Sequence, residues 1–420
     1  MAQFNDRLIF DTVTLPNGVV LHGKRWDVPF VDMRIIVPLG HAHCVNTILP
    51  GAAHLLEHCI CHRSAKFPTE RGFLDFLTEH GGHHDALTAL MMSSYQAAIP
   101  SAHWRDAFAG LLCQVFEPVI TEEIIGIERK TLGVERGRRA RWYPGDNELD
   151  QYLATQWLIR KPVELRHLFG DDIDRTNASV ESMYKVHRLY LTQGVHIFVG
   201  GSFDMGEALR MAGDLPPLAS QKPPWHLEPI RWNRTEYHEK RFDDTARFEY
   251  FTEAIIGDLS LEEHTYGSIL SSALGNFAWG TLYQWLRHER GLVYDIHIEA
   301  NDEPMLAATW GLHIPLGLRQ HVNLVRAELM DRIRATAFND DMMLRVIRRR
   351  LATQAFDLQR IGDVMKTAIE SVRRQGVIVT ESRFHSALHA LEEPSVRRDI
   401  FERLWGTAEF GEFLAIPASA

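Results

Sequence analysis

The stretch His54-Leu55-Leu56-Glu57-His58 decides how this chain is read, because it sets two imidazoles and one carboxylate on a single helical stripe. At about 100° per residue, His54 and His58 fall one turn apart with Glu57 beside them, all within roughly a third of the circumference. Neutral imidazoles at i and i+4 can share one tetrahedral Zn²⁺, and a carboxylate that is not a ligand can take a proton from water. The chain holds 22 His. One short pattern of this kind then arises by chance with a probability on the order of a tenth, so a third ligand is required.

A candidate stands at the end of Thr121-Glu122-Glu123-Ile124-Ile125-Gly126-Ile127-Glu128-Arg129-Lys130-Thr131-Leu132-Gly133-Val134-Glu135, a polar-apolar run that reads as a helix. Glu128 and Glu135 are one heptad apart, drift by only about 20° and share a face. One could bind metal while the other orients a ligand His. Taken alone, two such Glu are more often part of a solvated face.

The order H-x-x-E-H is the inverted form of the common zinc-peptidase motif. Followed by the pair Glu128 and Glu135, it resembles the pitrilysin/insulinase family of zinc metallopeptidases. The resemblance is to the short, two-domain type, like the mitochondrial processing peptidase subunits and their bacterial relatives. The likeness extends beyond the motif. Leu15-Pro16-Asn17-Gly18-Val19-Val20 is similar to the family's N-terminal hairpin, and Gly81-Gly82-His83-His84-Asp85-Ala86-Leu87-Thr88 to its glycine-led edge strand. His187-Arg188-Leu189-Tyr190 with Val195-His196-Ile197-Phe198-Val199-Gly200-Gly201 resembles the helix and strand that close its first domain. Leu286-Arg287-His288-Glu289-Arg290-Gly291-Leu292-Val293-Tyr294 resembles its Arg-x6-Tyr element, and beyond it the chain fits by helical character alone.

The resemblance implies His54, His58 and Glu135 as Zn²⁺ ligands, Glu57 as general base and Glu128 as the carboxylate that orients a ligand His. It implies that Arg287 and Tyr294 stabilise the charge that develops on the substrate carbonyl. It places Asp85 and Ala86 against the substrate, with one departure, since the family usually has Asn where this chain has Asp85. An amide donates and accepts, whereas a carboxylate only accepts, so substrate preference is affected more than the chemistry. His83 and His84 read as strand-edge residues rather than additional ligands.

At 420 residues and 45% hydrophobic, the chain exceeds one ordinary core and suffices for two of about 200 residues. The proline-rich segment at 216–230 opposes helix and central strand and suits a stiff linker. It would separate a zinc-binding domain at 1–215 from a second, similar domain at 231–420. Strand-like runs fall at 33–39 and 93–100, then again at 247–256, 294–300 and 305–315. A helix is expected at 264–287, and the remainder reads as helices. The expected class is therefore α+β, each domain a mixed or antiparallel sheet with helices on one face, together forming half of a clamshell.

A net charge of −10 argues against nucleic acid as the main partner. No apolar run reaches the roughly 18 residues of a membrane span. The first residues lack a basic stretch followed by an apolar one, and Cys44, Cys59, Cys61 and Cys113 are not spaced as a disulfide framework, so a cytoplasmic location is expected. Cys59 and Cys61 read as buried thiols, and His62 as a helix-end residue. The arginine cluster at 136–141 begins beside Glu135, where a positive rim would draw in acidic peptides.

The expected activity is hydrolysis of peptides or small unfolded proteins within an enclosed chamber. The resemblance gives that chamber four domains and this chain supplies two, so a homodimer, or a heterodimer with a related subunit, follows. Two other readings stay open at this stage. One is a non-proteolytic scaffold or partner subunit of the same fold, and the other is a zinc hydrolase of a non-peptide substrate.

Overall fold

The computed structural model describes residues 6–44, 49–89, 91–142, 158–159, 176–192, 194–219, 231–232, 237–243, 245–257, 259–276, 278–303, 307–408 and 410–418. Most of the expected linker, 220–230, lies outside them, and so do residues 143–157 and 160–175.

Alternation builds the first sheet. Val20–Arg25 follows Asp11–Thr14 through a tight turn in which Gly18 takes φ 90°, and the two strands, β1 (Asp11–Thr14) and β2 (Val20–Arg25), pair antiparallel. With β3 (Phe30–Val37), β4 (His83–Thr88), β5 (Ser93–Pro100) and, after a two-residue β6 (Leu158–Ile159), β7 (His196–Gly201), they form a six-stranded sheet in the order β1-β2-β7-β3-β5-β4. Along β5 the side chains of Ser93, Tyr95, Ala97 and Ile99 are buried and their neighbours less so, the period-two signature of a strand with one covered face.

In the second half, β8 (Arg231–Trp232) pairs, among the described residues, with β6. The sheet itself is made of β9 (His238–Phe242), β10 (Phe248–Gly257), β11 (His297–Glu303), β12 (Ala307–Leu316) and β13 (Phe410–Pro417), in the order β11-β12-β10-β13-β9. The two sheets repeat one topology. In each, the last strand of its half inserts between two early ones: β7 lies parallel to β2 and antiparallel to β3, and β13 lies parallel to β9 and antiparallel to β10. The protein is α+β, each sheet packed on one face by helices of its own half around an apolar core.

Two expectations about the second half need correction. Its last stretch is not all helical, because β13 is a central strand buried on both faces. The helix expected at 264–287 is interrupted: Leu261–Ser271 gives way to wider, π-type turns and then to a fresh start at Thr281. Closely packed glycines stand at the interruption. A Cβ on Gly275 would come within 2.5 Å of the Ile296 side chain, and one on Gly280 within 2.6 Å of the Leu274 carbonyl oxygen.

The helix Ile361–Gln375 belongs to the second half by sequence yet covers the other face of the first sheet. Ile361, Val364, Met365, Ala368 and Ile369 bury against Ile36 and Phe198. At the N-terminal end Asp6 adds a tie, its carboxylate accepting from the backbone N–H groups of Glu381 and Ser382, both at 3.0 Å.

Beside this contact two histidines stack on Phe198. His22 and His196 share a 2.9 Å hydrogen bond between Nε2 and Nδ1, and the Thr12 hydroxyl lies 2.9 Å from His22 Nδ1. Burial pushes His22 down to about 3, helped by repulsion from His196, and burial pushes His196 down to about 4. Both are lowered below the ordinary 6.5. The unfolded chain therefore binds protons below that value that the folded chain refuses. The stability they contribute is complete above pH 6.5 and is lost as pH falls toward 4, by at most about 1.4 kcal/mol per pH unit for each ring. Thermal melts between pH 7.5 and 4.5, intervals chosen about the unperturbed histidine pKa, should show a shallower fall for His22→Gln than for the natural protein. Equal slopes would mean that the pair is not held neutral.

Candidate metal centre

The motif occupies the helix Ala52–Ile60, whose start requires Gly51 at φ 75°, a left-handed conformation that glycine adopts without strain. Leu55, Leu56, Cys59 and Ile60 anchor this helix in the first core. Across from it runs the helix Glu122–Trp142, which buries Ile124, Ile125 and Leu132. The same face carries Glu128, 7% exposed, and Glu135, partly exposed. Packing of the two apolar stripes thus brings both glutamates against the histidines.

Glu135 Oε2 lies 3.8 Å from His54 Nε2 and 3.6 Å from His58 Nε2, and one ligand atom of each of the three residues falls within 4.8 Å of the others. Among the described residues this is the one such group of three or more His, Cys, Asp or Glu. Donors about 2.0–2.1 Å from a tetrahedral zinc stand roughly 3.3 Å apart, so a small contraction of this N₂O set accommodates the ion. Glu128 sets the direction of one ring. Its Oε2 is 2.7 Å from His58 Nδ1, and since an ionised carboxylate only accepts, the proton sits on Nδ1 and leaves the Nε2 lone pair facing Glu135. Burial alone would raise the Glu128 pKa, but hydrogen bonds from His58 and His62 outweigh it and take the group to about 2.

Glu57 is held by the edge strand. The Thr88 hydroxyl donates to Glu57 Oε2 at 2.7 Å, and behind it Ser93 Oγ donates to the Leu39 carbonyl at 2.8 Å and meets Tyr190 Oη at 2.9 Å. Burial is the largest influence on Glu57 and raises its pKa. The Thr88 bond and the His58 charge oppose this, while the charges of Glu135 and Asp85 add to it. A carboxylate so poised takes up a proton more readily than one in water.

The other expected residues are placed as follows. Asp85 is exposed on β4, accepting from the Ala86 N–H at 3.0 Å, and Ala86 is half-buried beside it; β4 is the outermost strand of its sheet. His84 is on the same strand, its Nε2 2.9 Å from Gln114 Oε1. Arg287 lies over the rings of Tyr283 and Tyr294, at 5.2 and 4.4 Å from their centroids, and donates to the Tyr294 carbonyl. Tyr294 is 73% exposed. Among the described residues neither makes a hydrogen bond, ion pair or ring contact with the metal cluster, so the structure joins Arg287 to Tyr294 but does not bring them to His54, His58 and Glu135. The arginine side chains at 136–141 lie outside the described residues. The four cysteines are free thiols.

Sequence reasoning missed two participants. Thr88 lies within the quoted edge-strand segment, but nothing local shows that its hydroxyl reaches Glu57. His62 follows His58 by one helical turn, on the stripe that carries His54, and its Nε2 stands 2.6 Å from Glu128 Oε1. That spacing was a usable signal.

Residues 20–163, which contain the motif helix and both glutamates, match the family model described as Insulinase (Peptidase family M16). Among curated proteins, human nardilysin is 31% identical over 87 residues, which is 21% of this chain and 8% of nardilysin, so this chain matches only a small part of that relative's length. A protease from Helicobacter pylori superposes with a TM-score of 0.80 at 14% identity, covering 97% of this chain and 99% of that one. A peptidase M16 inactive domain from Pseudomonas fluorescens superposes with a TM-score of 0.78 at 15% identity, covering 98% of each. At such identities these superpositions speak for the fold, and the family model speaks for the segment that carries the motif. Together, the match over residues 20–163 and the shared fold make this chain similar to the insulinase family, peptidase family M16, across the segment that carries the inverted motif and the paired glutamates.

Proposed function

We propose that this protein is a zinc-dependent endopeptidase of short peptides or unfolded segments. The observation that carries the reading is the convergence of His54 Nε2, His58 Nε2 and Glu135 Oε2 beside the buried carboxylate of Glu57. A zinc ion held by these three residues would supply Lewis acidity and bring the pKa of water down to about 7. Glu57 takes the proton of the attacking water and, with its pKa raised, can return it to the leaving amine. Thr88 fixes the carboxylate in place through its hydroxyl.

The substrate backbone is proposed to add as a strand to the outer edge of β4, where main-chain hydrogen bonds hold an extended peptide and tolerate varied side chains. Arg287 and Tyr294 are proposed to meet the carbonyl oxygen from the other chain of a dimer. Their mutual stacking, the exposure of Tyr294 and the lack of any described contact with the metal cluster support that arrangement. Retention of every ligand and of the base favours an enzyme over a scaffold subunit of the same fold, and the free thiols suit a reducing, cytoplasmic setting.

The test combines a quenched peptide substrate with chelation. Cleavage should be abolished by a zinc chelator, restored by about one Zn²⁺ per chain, and slow or absent for large folded proteins. Zinc binding without hydrolysis of any peptide in a mixed library would overturn the peptidase reading.

A further inference from the structure

Glu128 uses both carboxylate oxygens on one helix. Oε2 is 2.7 Å from His58 Nδ1 and Oε1 is 2.6 Å from His62 Nε2, so rings one turn apart hold the group at its two ends. Glu128 is 7% exposed, and an ionised carboxylate that deep needs donors on both oxygens to offset its lost hydration. His62 lies at the turn that ends the motif helix, where the chain bends so that its ring faces back toward the helix Glu122–Trp142. Its other nitrogen, Nδ1, faces the largely exposed Glu70 at 3.8 Å. The chain of contacts therefore runs from the surface at Glu70 through His62 and Glu128 to the ligand His58.

We infer that His62 is a positioning residue for the metal centre: by pinning the second oxygen of Glu128, it fixes that carboxylate's rotation and with it the tautomer of His58. The inference rests on the zinc reading above and adds a residue outside the motif itself. Without a donor on Oε1, Glu128 can turn about its terminal torsion and its bond to His58 Nδ1 loosens. Neutral His58 then populates the form with its proton on Nε2, which cannot donate a lone pair to a metal from that atom. Partners that orient a ligand His in this way are typically worth roughly ten- to a hundredfold in metal affinity. His62 acts one step further out, and the effect expected is at the lower end.

The test measures the Kd for Zn²⁺ by competition with a chromogenic chelator, together with the ¹⁵N resonances of His58 in the metal-free protein. His62→Leu should raise the Kd about tenfold and convert His58 from a single form protonated at Nδ1 to a mixture. His62→Gln, which retains an N–H donor at similar reach, should hold both readings near those of the natural protein. If the Leu variant does not fold, His62→Phe preserves a ring without the donor and is compared with Gln in the same way. Unchanged affinity and tautomer in the Leu or Phe variant would overturn the inference, as would equal losses in Phe and Gln. If the natural protein binds no zinc, the reading of the site as a zinc centre fails, whereas the tautomer comparison still decides the role of His62.

Discussion

Glu57→Gln protein should bind zinc as tightly as the natural protein and cleave peptides at least about a hundredfold more slowly. The side chains are nearly the same size, so the helix Ala52–Ile60 and its packing in the first core are preserved. What changes is proton affinity: burial raises the pKa of the Glu57 carboxyl, and no comparable basicity exists in an amide. Because Glu57 is not among the three converging ligands, metal content is unaffected. His58→Ala should differ in kind, losing metal and cleavage together, since it removes a ligand and leaves Glu128 without its first partner. Zinc titration alongside initial rates separates the two. Full activity in Glu57→Gln would remove the mechanism proposed here.

Mixing two inactive proteins should restore activity. If Arg287 serves the metal centre of the opposite chain, Glu57→Gln and Arg287→Ala damage different halves of a composite site. Each mixed dimer then holds one site with both defects and one with neither. Random exchange gives about half mixed dimers, each with one good site of two, and so roughly a quarter of natural activity. Arg287 is stacked on an exposed tyrosine and, among the described residues, is engaged within 283–294. Exchange verified by native mass spectrometry with no recovery of rate would assign Arg287 to its own chain or to a task away from the site.

Much of the first half was legible because its signals are local. The period of His54, Glu57 and His58, the heptad of Glu128 and Glu135, the turn at Gly18 and the alternation in Ser93–Pro100 are each contained within one element. What escaped depends on distant pairing. Phe410–Pro417 becomes an interior strand because Phe248–Gly257 and His238–Phe242 flank it, and His238–Phe242 carries four polar residues, three of them exposed, in an edge position where strand preference is weak. The helix expected at 264–287 is interrupted where Gly275 packs against Ile296, a residue beyond the expected helix. Thr88 and His62 followed the same rule: each was in plain view, and each acquires its role from a partner on another element.

The most direct test of the account is X-ray diffraction at the zinc edge from crystals of Glu57→Gln soaked with an extended peptide. One anomalous peak is expected between His54 Nε2, His58 Nε2 and Glu135 Oε2, with the peptide lying as an added strand along His83–Thr88. A peak elsewhere, or a peptide bound away from that strand while the metal sits between the three ligands, would contradict it.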